Sequence, residues 1–219
     1  MKYFSWVLFI IGGLIFLSSF LPPLFYWYGG WINRSPVLFD PDAVSVYPIP
    51  KILTRKGLYA DLPLTDSRDW FPKAQIATIS ASPVNSFLLS FPRLKISDIE
   101  VEVNGTDLKT HPVHFPGSAL PGNIGNSVIL GHSALPQFYF LNSPLTIFNP
   151  LLKFKIGDEV KIDYNGLNYI YKINQIFEVT PDKIEVLSQP ENRRQLTLIT
   201  CVPFGTYLRR LIIVGDLIN

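Results

Sequence analysis

One cysteine, Cys201, and three histidines, His111, His114 and His132, are the side chains of this sequence best suited to nucleophilic and proton-transfer chemistry near neutral pH. Cys201 closes the run Leu196-Thr197-Leu198-Ile199-Thr200, and His132 follows Val128-Ile129-Leu130-Gly131. Arg210 stands nine positions after Cys201 and opens the apolar run Leu211–Val214. A free thiol, with a pKa of about 8.5, is only a few per cent thiolate at neutral pH, so an imidazole beside it supplies the base or the stabilising cation. A permanently charged guanidinium offers the donor that a tetrahedral oxyanion requires. Thiol, imidazole and guanidinium together can carry out acyl transfer through a thioester. Spacing alone does not bring the three run ends together, and a lone cysteine is equally at home as a small core hydrophobe.

The elements that must position these groups read as strands. Phe87–Phe91 and Ile99–Val103 are short β-branched or aromatic runs, the second followed by a turn at Asn104-Gly105. Val128–Leu130, Gln195–Cys201 and Leu211–Val214 are further apolar strands. Val160, Ile162 and Tyr164 alternate, Asn165-Gly166 supplies a type I′ turn, and Leu167, Tyr169, Tyr171 and Ile173 resume the alternation. Outside the N-terminal segment no run sustains a helical period, although 143–152 has room for one or two turns. Many short strands with Pro- and Gly-rich turns predict an all-β barrel or sandwich.

The strings around these residues are more specific than their spacing. Thr197-Leu198-Ile199-Thr200-Cys201, then Pro203-Phe204-Gly205 and Arg210-Leu211, resembles the signature of sortases, cysteine transpeptidases of bacterial cell surfaces. The stretches 114–122 and Gly125–Ser133 resemble the segment that carries the family's catalytic histidine. Phe91–Ile96 is similar to its early strand, and Leu152–Val160 to its Lys-x-Gly-Asp turn. The resemblance covers roughly residues 87–218 in the family's order. It implies a closed β-barrel of about eight strands with short helices, held outside the membrane by an N-terminal anchor. It also implies that Cys201 attacks the Thr–Gly bond of a Leu-Pro-x-Thr-Gly-like C-terminal sorting signal on a surface protein. The thioester then passes to an amine from a cell-wall precursor or a pilin lysine. His132 would exchange protons with the leaving and incoming amines, and Arg210 would bind the substrate backbone and the oxyanion. Arg209 and Arg210 are adjacent and successive strand side chains face opposite ways, so only one can point at Cys201; the family's spacing selects Arg210.

His111 and His114 stand three apart in a Pro-rich loop with no Cys or third His nearby, so no metal site is expected, and no cofactor. His114 is expected to pack or hydrogen-bond structurally before the Pro116-Gly117 turn. Asp69-Trp70-Phe71-Pro72 is reminiscent of the Asp-x-aromatic lid of pilin-type sortases, but Trp follows Asp directly, and packing of these aromatics on the barrel is the favoured reading. Two other readings compete. An L,D-transpeptidase would carry a Ser/Thr-x-Gly-Cys-Arg string, absent here. A non-catalytic, membrane-tethered β module binding cell-wall or surface proteins would leave Cys201 merely buried.

Composition fits this picture. Charged residues make up 16% of the 219 residues, and Lys2 is the only charge in the first 33. Phe4–Leu21 is apolar and, at about 1.5 Å per residue, long enough for the hydrocarbon core as a helix. Pro22-Pro23 would end that helix, and Tyr26, Trp27, Tyr28 and Trp31 would form an interfacial belt. Residues 1–33 therefore read as an uncleaved single-pass anchor, 34–85 as a tether and N-terminal extension, and 86–219 as an extracellular catalytic barrel at the cell membrane. A wholly cytosolic enzyme and a polytopic membrane protein both fit poorly, and a net charge of +2 offers no nucleic-acid footprint. One cysteine allows no internal disulfide, so burial alone must hold the fold.

Overall fold

The computed structural model describes residues 65–74, 81–134 and 146–219. The expected anchor, its aromatic belt and most of the tether lie outside the described residues. Among the described residues, no helix is long and apolar enough to cross a membrane.

Eight strands close into a barrel: β1 (Ser86–Phe91), β2 (Ile96–Glu102), β3 (Val113–His114), β4 (Gly125–Leu130), β5 (Glu159–Tyr164), β6 (Leu167–Val179), β7 (Arg194–Val202) and β8 (Arg209–Leu217). Their order around the barrel is β1-β2-β3-β4-β7-β8-β6-β5. The eight-stranded, closed all-β architecture is the one anticipated. The described helical segments are single 3-10 turns, among them Asn149–Lys153 within the stretch expected to hold a turn or two. The 165–166 hairpin joins β5 to β6, with φ of 52° at Asn165 and 75° at Gly166, the positive values a type I′ turn demands.

Burial explains why some strands alternate and others carry apolar residues on both faces. On β5, Val160, Ile162 and Tyr164 are buried and the residues between them are exposed, so one face lines the barrel interior and the other meets solvent. On β4 every residue is buried, as are seven of nine on β7 and six of nine on β8. Their inward positions (Ile129, Leu196, Leu198, Leu211, Ile213) join the main core with Leu89, Phe91 and Ile162. Their outward positions (Val128, Leu130, Ile199, Cys201, Ile212, Val214) pack in a second cluster with Trp70, Phe71, Leu108 and Phe115. A sheet covered on both faces reads as a continuous apolar run.

The second layer is built in part by the segment around residue 70. Ser67 N donates to Thr106 O and Leu108 N to Thr65 O, both at 2.8 Å, around a bridge between Asp66 and Asp107. Asp66 caps the 3-10 turn Ser67–Trp70 by accepting from Arg68 N. This short clamp lays Trp70 and Phe71, both with no exposed surface, onto the outer face of the barrel.

Candidate functional site

Strand parity puts the three expected site residues on one face. Cys201 pairs directly with Arg210 across the antiparallel β7–β8 ladder, and both face outward, as Ile199 and Ile212 do. β4 runs parallel to β7 with Leu130 opposite Ile199. Two residues further along each chain stand His132 and Cys201. The extension past β4 is held by backbone and side-chain bonds: Gly131 N donates to Ile199 O at 3.1 Å, and Thr200 Oγ1 donates to Gly131 O at 2.8 Å. Ser133 Oγ donates to the carbonyl of Cys201 itself at 2.5 Å. Gly131 is required here, because a Cβ would come within 2.6 Å of the Phe148 ring.

Arg210 is 1% exposed. Its Nη1 donates to Tyr207 O at 3.1 Å and to Arg209 O at 3.3 Å, and its Nη2 donates to Trp70 O at 3.3 Å. The guanidinium carbon lies 5.2 Å from the Trp70 ring centroid, in cation–π range. The same indole lies 5.7 Å from the His132 ring. Trp70 therefore covers both the imidazole and the guanidinium. The aromatics of 70–71 do pack on the barrel, and they do so over these groups, a placement that the sequence did not disclose. Arg209 points elsewhere, into an exposed ion pair with Glu178 at 3.0 Å.

The electrostatics follow from burial, nearly complete for Cys201 and Arg210 and partial for His132. Burial pushes the Cys201 thiol up to about 11, with the Arg210 charge pulling the other way. Burial also lowers the His132 pKa, opposed by the negative charge of Asp107. Thiol and imidazole are thus both neutral at pH 7 in this state, and His132 Nε2 has no hydrogen-bond partner among the described residues.

The other two histidines lie apart from this cluster. His114 is fully buried; its Nδ1 accepts from Asn104 N at 3.4 Å and its Nε2 lies 2.9 Å from Ala119 O, so Nε2 carries the proton. Burial drops its pKa to about 4. His111 is exposed, 3.8 Å from Glu100. Among the described residues no group of three or more His, Cys, Asp or Glu side chains is placed to hold a metal ion.

Comparison with known proteins gives a consistent result. The family model of the Sortase domain matches residues 89–218. The chain is 31% identical over 95 residues to sortase A of Bacillus anthracis, a match covering 43% of this chain and 41% of that protein. It thus spans less than half the length of that relative. Among solved structures, a lid mutant of sortase A from Corynebacterium diphtheriae superposes with a TM-score of 0.54 at 30% identity, covering 64% of this chain and 73% of that one. A sortase D5 transpeptidase from Clostridium perfringens gives 0.54 at 26% identity, covering 64% and 82%.

Proposed function

The chain belongs to the sortase family, and from that premise we propose that it is a membrane-anchored cysteine transpeptidase with Cys201, His132 and Arg210 as its catalytic groups. The observation that carries this reading is the pairing of Cys201 with Arg210 on the outward face of β7 and β8, with His132 at the end of the neighbouring strand.

The substrate is a surface protein ending in a Leu-Pro-x-Thr-Gly-like sorting signal. Cys201 Sγ attacks the threonine carbonyl carbon, and the oxyanion that develops is met by the Arg210 guanidinium. His132 takes the thiol proton and returns it to the leaving amine as the C–N bond breaks, leaving a thioester. An amine from a cell-wall precursor or a pilin lysine then gives its proton to His132, attacks the thioester and regenerates the thiol. Binding must first lift Trp70 from His132 and Arg210. Water and substrate then reach the thiol, and the burial that holds it protonated is relieved. The anchor is Phe4–Leu21, with the barrel outside the membrane.

A quenched peptide panel of Leu-Pro-x-Thr-Gly type, with an amine acceptor, tests the reading. Wild type should release the quencher and join the acceptor to threonine, whereas Cys201→Ala and His132→Ala should do neither. Equal signals from wild type and Cys201→Ala would reject it.

A further inference from the structure

The loop that carries His132 beyond β4 is held from its far side by two consecutive residues. Phe148 N donates to the carbonyl of His132 at 3.2 Å. Asn149, 8% exposed, uses both ends of its side-chain amide on one residue of that loop: Ala134 N donates to Oδ1 at 2.9 Å, and Nδ2 donates to Ala134 O at 2.9 Å. The Phe148 ring, fully buried, lies against the bare backbone of Gly131. Every residue from 131 to 134 is therefore tied down: Gly131 to β7, His132 to Phe148, Ser133 to the Cys201 carbonyl and Ala134 to Asn149. Three of these ties use backbone groups or reach β7. Only at Ala134 does a single side chain satisfy both the N–H and the C=O of one residue, as a paired strand would.

We infer that Asn149 is a positioning residue for the reaction, its amide acting as a one-residue substitute for a strand that holds the His132 loop in register with Cys201. This rests on the acid–base reading of His132. Asn149 reaches the chemistry only through the loop backbone, so it governs proton transfer without touching the substrate. Its chemistry is specific to an amide. The position needs an acceptor and a donor side by side on one planar group, which Asn supplies and a carboxylate does not. An ionised Asp would accept from Ala134 N while setting its second oxygen against Ala134 O. A protonated Asp restores the donor.

The test uses the full chain with the quenched sorting peptide and amine acceptor, comparing wild type, Asn149→Ala, Asn149→Asp and His132→Ala. Misplacing the imidazole by the order of an ångström should lower kcat of Asn149→Ala about 10- to 100-fold, while KM stays within about twofold because the Asn149 amide is spent on the Ala134 backbone. Asn149→Asp should match Asn149→Ala at about pH 8 and recover toward wild type as pH falls to about 5.5, since burial against a carbonyl raises the carboxyl pKa. With thermal melts showing Asn149→Asp fully folded at both pH values, that pH-dependent rescue is a signature that a generally weakened fold would not produce, and it decides the matter even if Asn149→Ala does not fold. Rescue that merely follows recovery of the folded fraction would overturn the positioning role. If Asn149→Asp tracks wild type at every pH, or if Asn149→Ala folds and keeps its kcat, the positioning role is wrong. Retained activity in His132→Ala would instead overturn the acid–base reading itself.

Discussion

Trp70→Ala is the perturbation whose consequences the site geometry specifies most fully. The indole has no exposed surface, faces the Arg210 guanidinium at 5.2 Å and lies 5.7 Å from the His132 ring. Replacing a buried Trp by Ala typically costs about 3–5 kcal/mol, of which the cation–π contact accounts for about 0.5–2. The backbone clamp between 65–67 and 106–108 survives the substitution. The loss therefore falls on docking of the segment, and the barrel's own core is spared. Taking about 3 kcal/mol for docking, the undocked population rises roughly 100-fold. Alkylation of Cys201 by iodoacetamide, run where opening precedes reaction, reports that population directly. The rate should rise by roughly the same factor, and the pH of half-maximal alkylation should move down from about 11 as water reaches the thiol. The accelerated reaction should depend only weakly on denaturant, the mark of local opening. A cooperatively folded Trp70→Ala with an unchanged alkylation rate would refute the reasoning. So would acceleration carrying the steep denaturant slope of global unfolding.

Two further outcomes follow from the same contacts. Arg210→Ala should lower kcat/KM by about 10²–10³, the usual cost of losing an oxyanion donor, whereas Arg209→Ala should stay within a few-fold because its ion pair with Glu178 is exposed; the reverse ranking in the peptide assay would overturn the assignment. His114 should make the barrel acid-sensitive. Its folded pKa of about 4 lies below the ordinary 6.5, so the unfolded chain binds the proton first. Stability is therefore full above about pH 6.5 and is lost as pH falls toward 4, up to about 3 kcal/mol. Thermal melts from pH 7 to 4.5 should show a steeper fall for wild type than for His114→Gln, and parallel curves would count against the linkage.

Legibility in the sequence followed the physics of burial. The 160–173 hairpin stood out because β5 has one wet face and one dry face, and because Asn165-Gly166 is the turn its positive φ values require. Val128–Leu130 on β4 and Leu211–Val214 on β8 read as apolar runs because both of their faces are covered, and β7 has the same double cover with Thr197 and Thr200 buried among its apolar residues. β3 escaped because two residues carry no period. β6 runs on to Val179, past the Ile173 at which the alternation ends, because its register shifts between Ile173 and Gln175 beside polar Asn174. Cys201, His132 and Arg210 were marked by their residue strings, and parity on the folded barrel places them on one face. What escaped were contacts made across the fold. Trp70 meets Arg210 through its carbonyl and ring 140 positions away. Asn149 acts through the backbone of Ala134, whose residue type leaves no trace of the bond.

The central claim is that Cys201 carries the acyl group, and intact-protein mass spectrometry after brief incubation with a sorting peptide, without acceptor amine, tests it most directly. Wild type, and more abundantly the uncovered Trp70→Ala, should gain the mass of the peptide truncated after threonine, less one water. Peptide mapping should place it on Cys201, and it should vanish when an amine is added, with the new amide appearing in its place. No adduct in either protein, or an adduct that persists in Cys201→Ala, would contradict the account.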